Sequence, residues 1–101
     1  MKIEKYIKKR IEFIDKRIDY FETLKQHKNT YLNTININYN QLNSPSISDD
    51  EFSYKFNSYK MKKLEYKNEI DILKCKIDMY ETFLHELESE KRMLTIMLLC
   101  F

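Results

Sequence analysis

The chain predicts an all-α fold, a long antiparallel helical hairpin of coiled-coil type that dimerises into a four-helix bundle. Three features of its 101 residues point there. Apolar residues recur at alternating spacings of four and three through the second half, the repeat of a helix packed lengthwise on other helices. The first half carries the same repeat with a broader apolar face. Between them lies one proline-containing break. The whole is expected to be a single domain at 1–101, with helices over about 3–42 and 48–101 and a turn at 43–47.

In the first helix Ile7, Ile11, Ile14, Ile18 and Phe21 keep the four-three spacing. Beside this seam runs a stripe one heptad apart, Tyr6, Phe13, Tyr20 and His27, with Ile3, Leu24 and Tyr31 between the two. Together they fill an arc of about 160°, against roughly 100° for an ordinary surface helix. A face this wide is expected to touch more than one neighbour, which favours a bundle over a two-stranded coil. From Asn29 to Asn43 two patterns compete. Asn is a weak helix former, and Ile35-Asn36-Ile37-Asn38-Tyr39 alternates like a strand. Yet Lys25, Lys28, Leu32, Ile35, Tyr39 and Leu42 continue the helical register without a slip, and a lone strand would find no partner. Helix to about Leu42 is therefore expected. Asn43-Ser44-Pro45-Ser46 ends it, because proline cannot continue a helix and disfavours helical geometry in the residue before it.

The second helix has a marked start. Ser48-Asp49-Asp50-Glu51 fits a capping box, and Ile47 with Phe52 fits a hydrophobic staple. The seam then runs Phe52, Phe56, Tyr59, Lys63, Tyr66, Ile70, Leu73, Ile77, Tyr80, Leu84, Leu87, Lys91, Leu94, Leu98 and Phe101, interrupted only by two lysines.

A short connection makes the helices antiparallel neighbours. Folding about residue 45 or 46 sets Leu42 near Asp50, Ile18 near Leu73 and Ile7 near Leu84. It also brings Lys2, Lys5, Lys8, Lys9 and Arg10 beside Glu81, Glu86, Glu88 and Glu90, which disfavours a parallel arrangement. In that register the second helix overhangs the first by about ten residues. Met93 to Phe101 is apolar around nearly the whole circumference, and such a segment must be covered. Met93, Leu94, Met97, Leu98 and Phe101 are accordingly expected to serve dimerisation or docking into a groove on another protein. The same register gathers Lys25, Lys28 and Lys63 at one level of the seam. There they are expected to snorkel outwards and specify register, the rival role being an anion or partner site.

Composition narrows the function. The formal charge of +2 is too small to argue for nucleic acid by itself. Gly, Ala and Val are all absent, while Lys, Ile, Asn and Tyr supply 43 residues. That bias points to an AT-rich gene and discounts the lysine content. Cys75 and Cys100 would lie roughly 37 Å apart on one helix, too far to pair, and are expected as buried thiols in a reducing compartment. Met1 to Arg10 shows no apolar signal-peptide core, and the C-terminal apolar run is too short to cross a bilayer. A cytoplasmic protein without membrane contact is expected.

No catalytic constellation stands out. His27 and His85 have no nucleophile in a supporting motif, and without Gly there is no Gly-rich phosphate loop. Glu81, His85 and Glu88 share a face, but the paired Glu-x-x-His motifs of a dimetal bundle are missing. No enzyme, metal or cofactor is expected. Lys55, Lys60, Lys62, Lys63, Lys67, Lys74 and Lys76, interleaved with Tyr54, Tyr59 and Tyr66, could track a nucleic-acid backbone, but Glu65, Glu69 and Asp71 dilute the patch. The chain reads as a non-enzymatic module that binds another protein and itself. It would suit a small phage, plasmid or other mobile-element adaptor or inhibitor of a larger machine. The rival reading is a small basic dimeric nucleic-acid binder.

Overall fold

The computed structural model describes residues 2–42 and 49–101, with side chains at 2–42 and 59–101. It is all-helical: α1 spans Lys2–Leu42 and α2 spans Asp49–Leu99, and the two contact each other as a hairpin. The Asn-rich stretch after Asn29 is thus helix, and its β-like alternation is overridden by the unbroken four-three register. α2 begins one residue after the expected cap, but Ser48 and the side chains of the capping box and staple lie outside the described residues. At the other end the last turn tightens, with Cys100 and Phe101 donating their backbone N–H groups to the carbonyls of Met97 and Leu98.

Every seam position of α1 from Ile7 to Leu42 is buried or half-buried, and so is every one of α2 from Tyr59 to Leu98. The chain forms two compact units. In the first, Met1–His27 with Ile77–Phe101, Ile7 and Ile14 pack on Leu94, flanked by Ile11, Ile18, Leu87 and Leu98. Further along, the Phe21 ring lies 6.1 Å from Tyr80 and 5.3 Å from Phe83, centroid to centroid. In the second unit, Lys28–Lys76, Ile35 packs on Ile70 and Leu73, with Leu32, Tyr39 and Tyr66 against them. The helices are antiparallel in both. Arg10 meets Glu90 while Lys25 meets Glu81; Tyr31 meets Glu69 while Lys63 lies over Tyr39.

The register differs from the one expected for a tight turn. Ile7 packs on Leu94, not Leu84; Ile18 belongs to the Leu94 cluster, while Leu73 packs on Ile35. The slide is about three helical turns, roughly 15 Å. Leu94 and Leu98 therefore lie beside the start of α1 and do not project past it. Neither the shortness of the connection nor the basic start of α1 opposite the glutamates of α2 fixes the register to within a few turns. Burying the leucines of the last turns against Ile7 and Ile14 recovers free energy that an overhang would forgo, at about 25 cal/mol per Å² of apolar surface. The cysteines also depart from expectation: both thiols are free and exposed. Cys75 and Cys100 sit off the seam, and the Cys100 thiol donates to the carbonyl of Ile96 within its own helix.

Ile14 is fully enclosed, whereas Ile96 lies outside both core clusters and is exposed. Ile14→Ala should cost about 2–5 kcal/mol in urea unfolding. The same change at Ile96 should stay within about 0.5 kcal/mol. Equal effects would contradict this assignment of the seam.

Candidate interaction surface

Letters for the heptad make the geometry explicit. With Ile7, Ile14 and Phe21 at d and Ile11 and Ile18 at a, the stripe Tyr6, Phe13, Tyr20 and His27 occupies c, and Ile3, Arg10, Arg17, Leu24 and Tyr31 occupy g. On α2, with Leu73, Leu87 and Leu94 at d, the c positions include Ile72, Met79, Glu86 and Met93, and the g positions include Glu69, Phe83, Glu90 and Met97. In an antiparallel pair the g edges meet on one side of the seam and the e edges on the other. The contacts follow that rule.

On the g side of the first unit, Arg10 donates twice to Glu90, from Nε at 2.9 Å and Nη2 at 3.3 Å. This bond, ahead of the other influences, raises the pKa of Arg10 and keeps its charge secure. The same guanidinium lies 5.1 Å from the centre of the Phe13 ring, and that of Arg17 lies 5.0 Å from Phe21 and 5.9 Å from Tyr20. Such distances suit attraction between a cation and an aromatic face. Arg17, Phe21, Phe83, Glu86 and Leu87 line a small open depression between the helices. Around it Ile3, Tyr6, Phe13, Tyr20, Met79, Met93 and Met97 are all exposed. One side of this unit is therefore a wall of aromatic and sulfur-bearing side chains crossed by two arginines and two glutamates.

The e side is unlike it. Lys91 reaches Asp15 at 2.6 Å and Lys25 reaches Glu81 at 3.3 Å. The open groove there is lined by Asp15, Asp19, Glu88, Lys91 and Arg92, among others. Charges of both signs line it, with Ile18 and Ile96 between them. In the second unit the g side carries Tyr31, whose hydroxyl donates to the Glu69 carboxylate. That bond, ahead of desolvation and the neighbouring charge, raises the pKa of Tyr31.

The residues singled out from sequence divide into two groups. Leu94 and Leu98 belong to the chain's own core, while Met93, Met97 and Phe101 are exposed, the two methionines on the g side. Lys25 pairs with Glu81 in the first unit; Lys28 and Lys63 belong to the second, where the Lys63 ammonium lies 5.7 Å from the Tyr39 ring centre. Lys25 thus has an acid in reach and Lys63 an aromatic ring. Glu81, His85 and Glu88 are exposed, and among the described residues no group of three or more such side chains is placed to hold a metal ion. No helix among the described residues is long and apolar enough to cross a membrane. Met79 and Phe83 went unnoticed in the sequence as surface residues. Their signal was the c and g spacing on the second helix, hidden behind the stronger seam. No family model matches the chain, and neither a curated protein nor a solved structure matches it.

The Tyr31 bond carries a pH signature. A phenol whose folded pKa is raised stabilises the fold below its ordinary range, near about 10, and loses that contribution as pH climbs through the raised value. Spectroscopic titration should therefore show a tyrosine component above the ordinary range that disappears in Tyr31→Phe. An identical alkaline limb in both proteins would show that the bond does not persist in solution.

Proposed function

We propose that the protein is a non-enzymatic interaction module that acts by packing the g side of its first helical unit against another polypeptide. The observation that carries this reading is the asymmetry of that unit. One side carries an open groove lined mainly by charged residues, with Lys91–Asp15 and Lys25–Glu81 ion pairs, while the other exposes Tyr6, Phe13, Tyr20, Met79 and Met93 around the Arg10–Glu90 pair. Tyrosine, methionine and arginine are enriched at protein interfaces, where large side chains supply contact area and charged ones supply direction. Methionine adds a side chain that adapts to an uneven partner surface. An AT-biased composition supports a setting in a phage or other mobile element, with the module as an adaptor or inhibitor of a larger protein assembly.

The nucleic-acid alternative is weaker on this surface. Arg10 is already committed to Glu90, and Glu86 and Glu90 stand where phosphates would have to approach. The two readings separate experimentally. Phe13→Glu combined with Met93→Glu should abolish association with protein, whether the chain's own or its host's, while helical circular dichroism is retained. A variant that kept all its association would refute the assigned surface. Affinity for an oligonucleotide that fell by about 10³–10⁵ between roughly 50 and 200 mM salt would favour the alternative.

A further inference from the structure

We infer that the polypeptide packed on this face is a second copy of the chain, with α1 of each protomer lying antiparallel across α2 of its partner. The inference rests on the interaction reading and adds the identity and orientation of the partner.

Area is the first argument. Ile3, Tyr6, Phe13, Tyr20, Met79, Met93 and Met97 are between 42 and 68 % exposed. At roughly 200 Å² per large side chain they offer on the order of 750 Å² in one patch. A standard stable interface needs about 800 Å² from each partner, so the patch matches what one face of a symmetric pair requires. Of its four charged members, two bring their partner with them, while Arg17 lies over the Tyr20 and Phe21 rings and Glu86 lines the depression beside it. Arg10 and Glu90 are bonded to each other on the patch, so covering them leaves neither an uncompensated charge, the condition under which burial of an ion pair is tolerated.

Charge decides the orientation. The outer edge of α1 next to the patch is basic, with Lys2, Lys9 and Lys16 one heptad apart, all exposed. The corresponding outer edge of α2, Cys75, Thr82, Ser89 and Ile96, carries no charge, and Glu86 lies beside it in the row of Met79 and Met93. Two hairpins stacked face to face with a two-fold axis can pair like with like or α1 with the partner's α2. Pairing like with like sets one lysine row against its copy, which costs free energy at a closed interface. With the axis parallel to the helices, each α1 crosses to the partner's α2 and every residue keeps its level. Because Arg10 is level with Glu90, Lys16 then falls within about a turn of the Glu86 level on the partner's α2. The result is a four-helix bundle in which each helix uses a/d for its own hairpin and c/g for the other. This accounts for the breadth of the apolar arc on α1.

The test combines mass with directed cross-linking. Sedimentation equilibrium of the wild type at micromolar concentration should give twice the chain mass. Phe13→Glu with Tyr20→Glu should give a helical monomer. In chains carrying Cys75→Ser and Cys100→Ser, a Lys16→Cys protein mixed with a Glu86→Cys protein should oxidise to the mixed disulfide in clear excess over either self-linked product. If the glutamate variant fails to fold, the cross-link decides alone. A monomeric wild type would overturn the self-pairing and leave the interaction reading standing. A dimer whose Lys16→Cys chain links mainly to itself would overturn the orientation. A folded glutamate variant that remains dimeric would overturn the use of this face, and with it the interaction reading.

Discussion

The lysines set into the apolar seam bias how the two helices meet. A seven-residue repeat does not register itself, because sliding one helix along the other by a heptad returns apolar residues to apolar neighbours. What breaks the degeneracy is a residue that tolerates only some neighbours. Lys91 occupies an a position and is met by Asp15; Lys25 occupies another and is met by Glu81. Lys63 lies over the Tyr39 ring, and Arg10 and Glu90 bracket the seam from its g edge. Each contact is individually weak at the surface. Their value lies in what a slip of one heptad would do in one direction, which is to set Lys91 beside Lys8 and Lys25 beside Lys74; in the other direction Glu22 and Glu88 would replace the acids, and the aliphatic contacts must hold the register. These groups contribute specificity more than stability, and the aliphatic core supplies the rest.

Once that register is set, the division of the surface follows from antiparallel geometry. The g residues of one helix meet those of the other, so whatever the sequence places at c and g accumulates on one side. α1 places aromatics there and α2 places methionines with a phenylalanine. The e positions receive Asp15, Glu22, Asn29, Lys74, Glu81 and Glu88, and that side is polar. No single helix shows the contrast as clearly as the pair does. In the first unit a surface suited to partner contact therefore emerges from two stripes that are separated by most of the chain in sequence.

How far the sequence could be read follows from the same physics. The seam was legible almost residue by residue, because a period of 3.5 is a local property and burial of every described member from Ile7 to Leu98 follows from it. Helix through the Asn-rich stretch was legible for the same reason, since Leu32, Ile35 and Tyr39 stay in phase despite the weak propensity of their neighbours. Register was not legible. It depends on which of several heptad-related alignments has the lowest free energy, and that comparison needs Asp15 beside Lys91 and Leu94 beside Ile7 at once. The misplaced register carried the apolar overhang with it. The exposed thiols of Cys75 and Cys100 show the reverse limit: a residue type that is usually buried was assigned by habit of type, although its heptad position already put it off the seam.

Architecture also explains why a chain of this kind should carry a second apolar stripe at all. A layer of two helices has no interior beyond the strip where they touch. Among the described residues eight hydrophobic side chains are buried, while Tyr6, Phe13, Tyr20, Met79 and Met93 remain exposed on one side of the first unit. Small folds bury a small fraction of their surface and have correspondingly little stability to spare. Adding a second layer over the g side would enclose those residues and turn Phe21 and Phe83, now at the margin, into interior groups. It would also place the Arg10–Glu90 pair, with its guanidinium already stacked on Phe13, in a less polar medium where its two hydrogen bonds grow stronger. Folding of the first unit and the proposed association would then draw on the same stripe of residues.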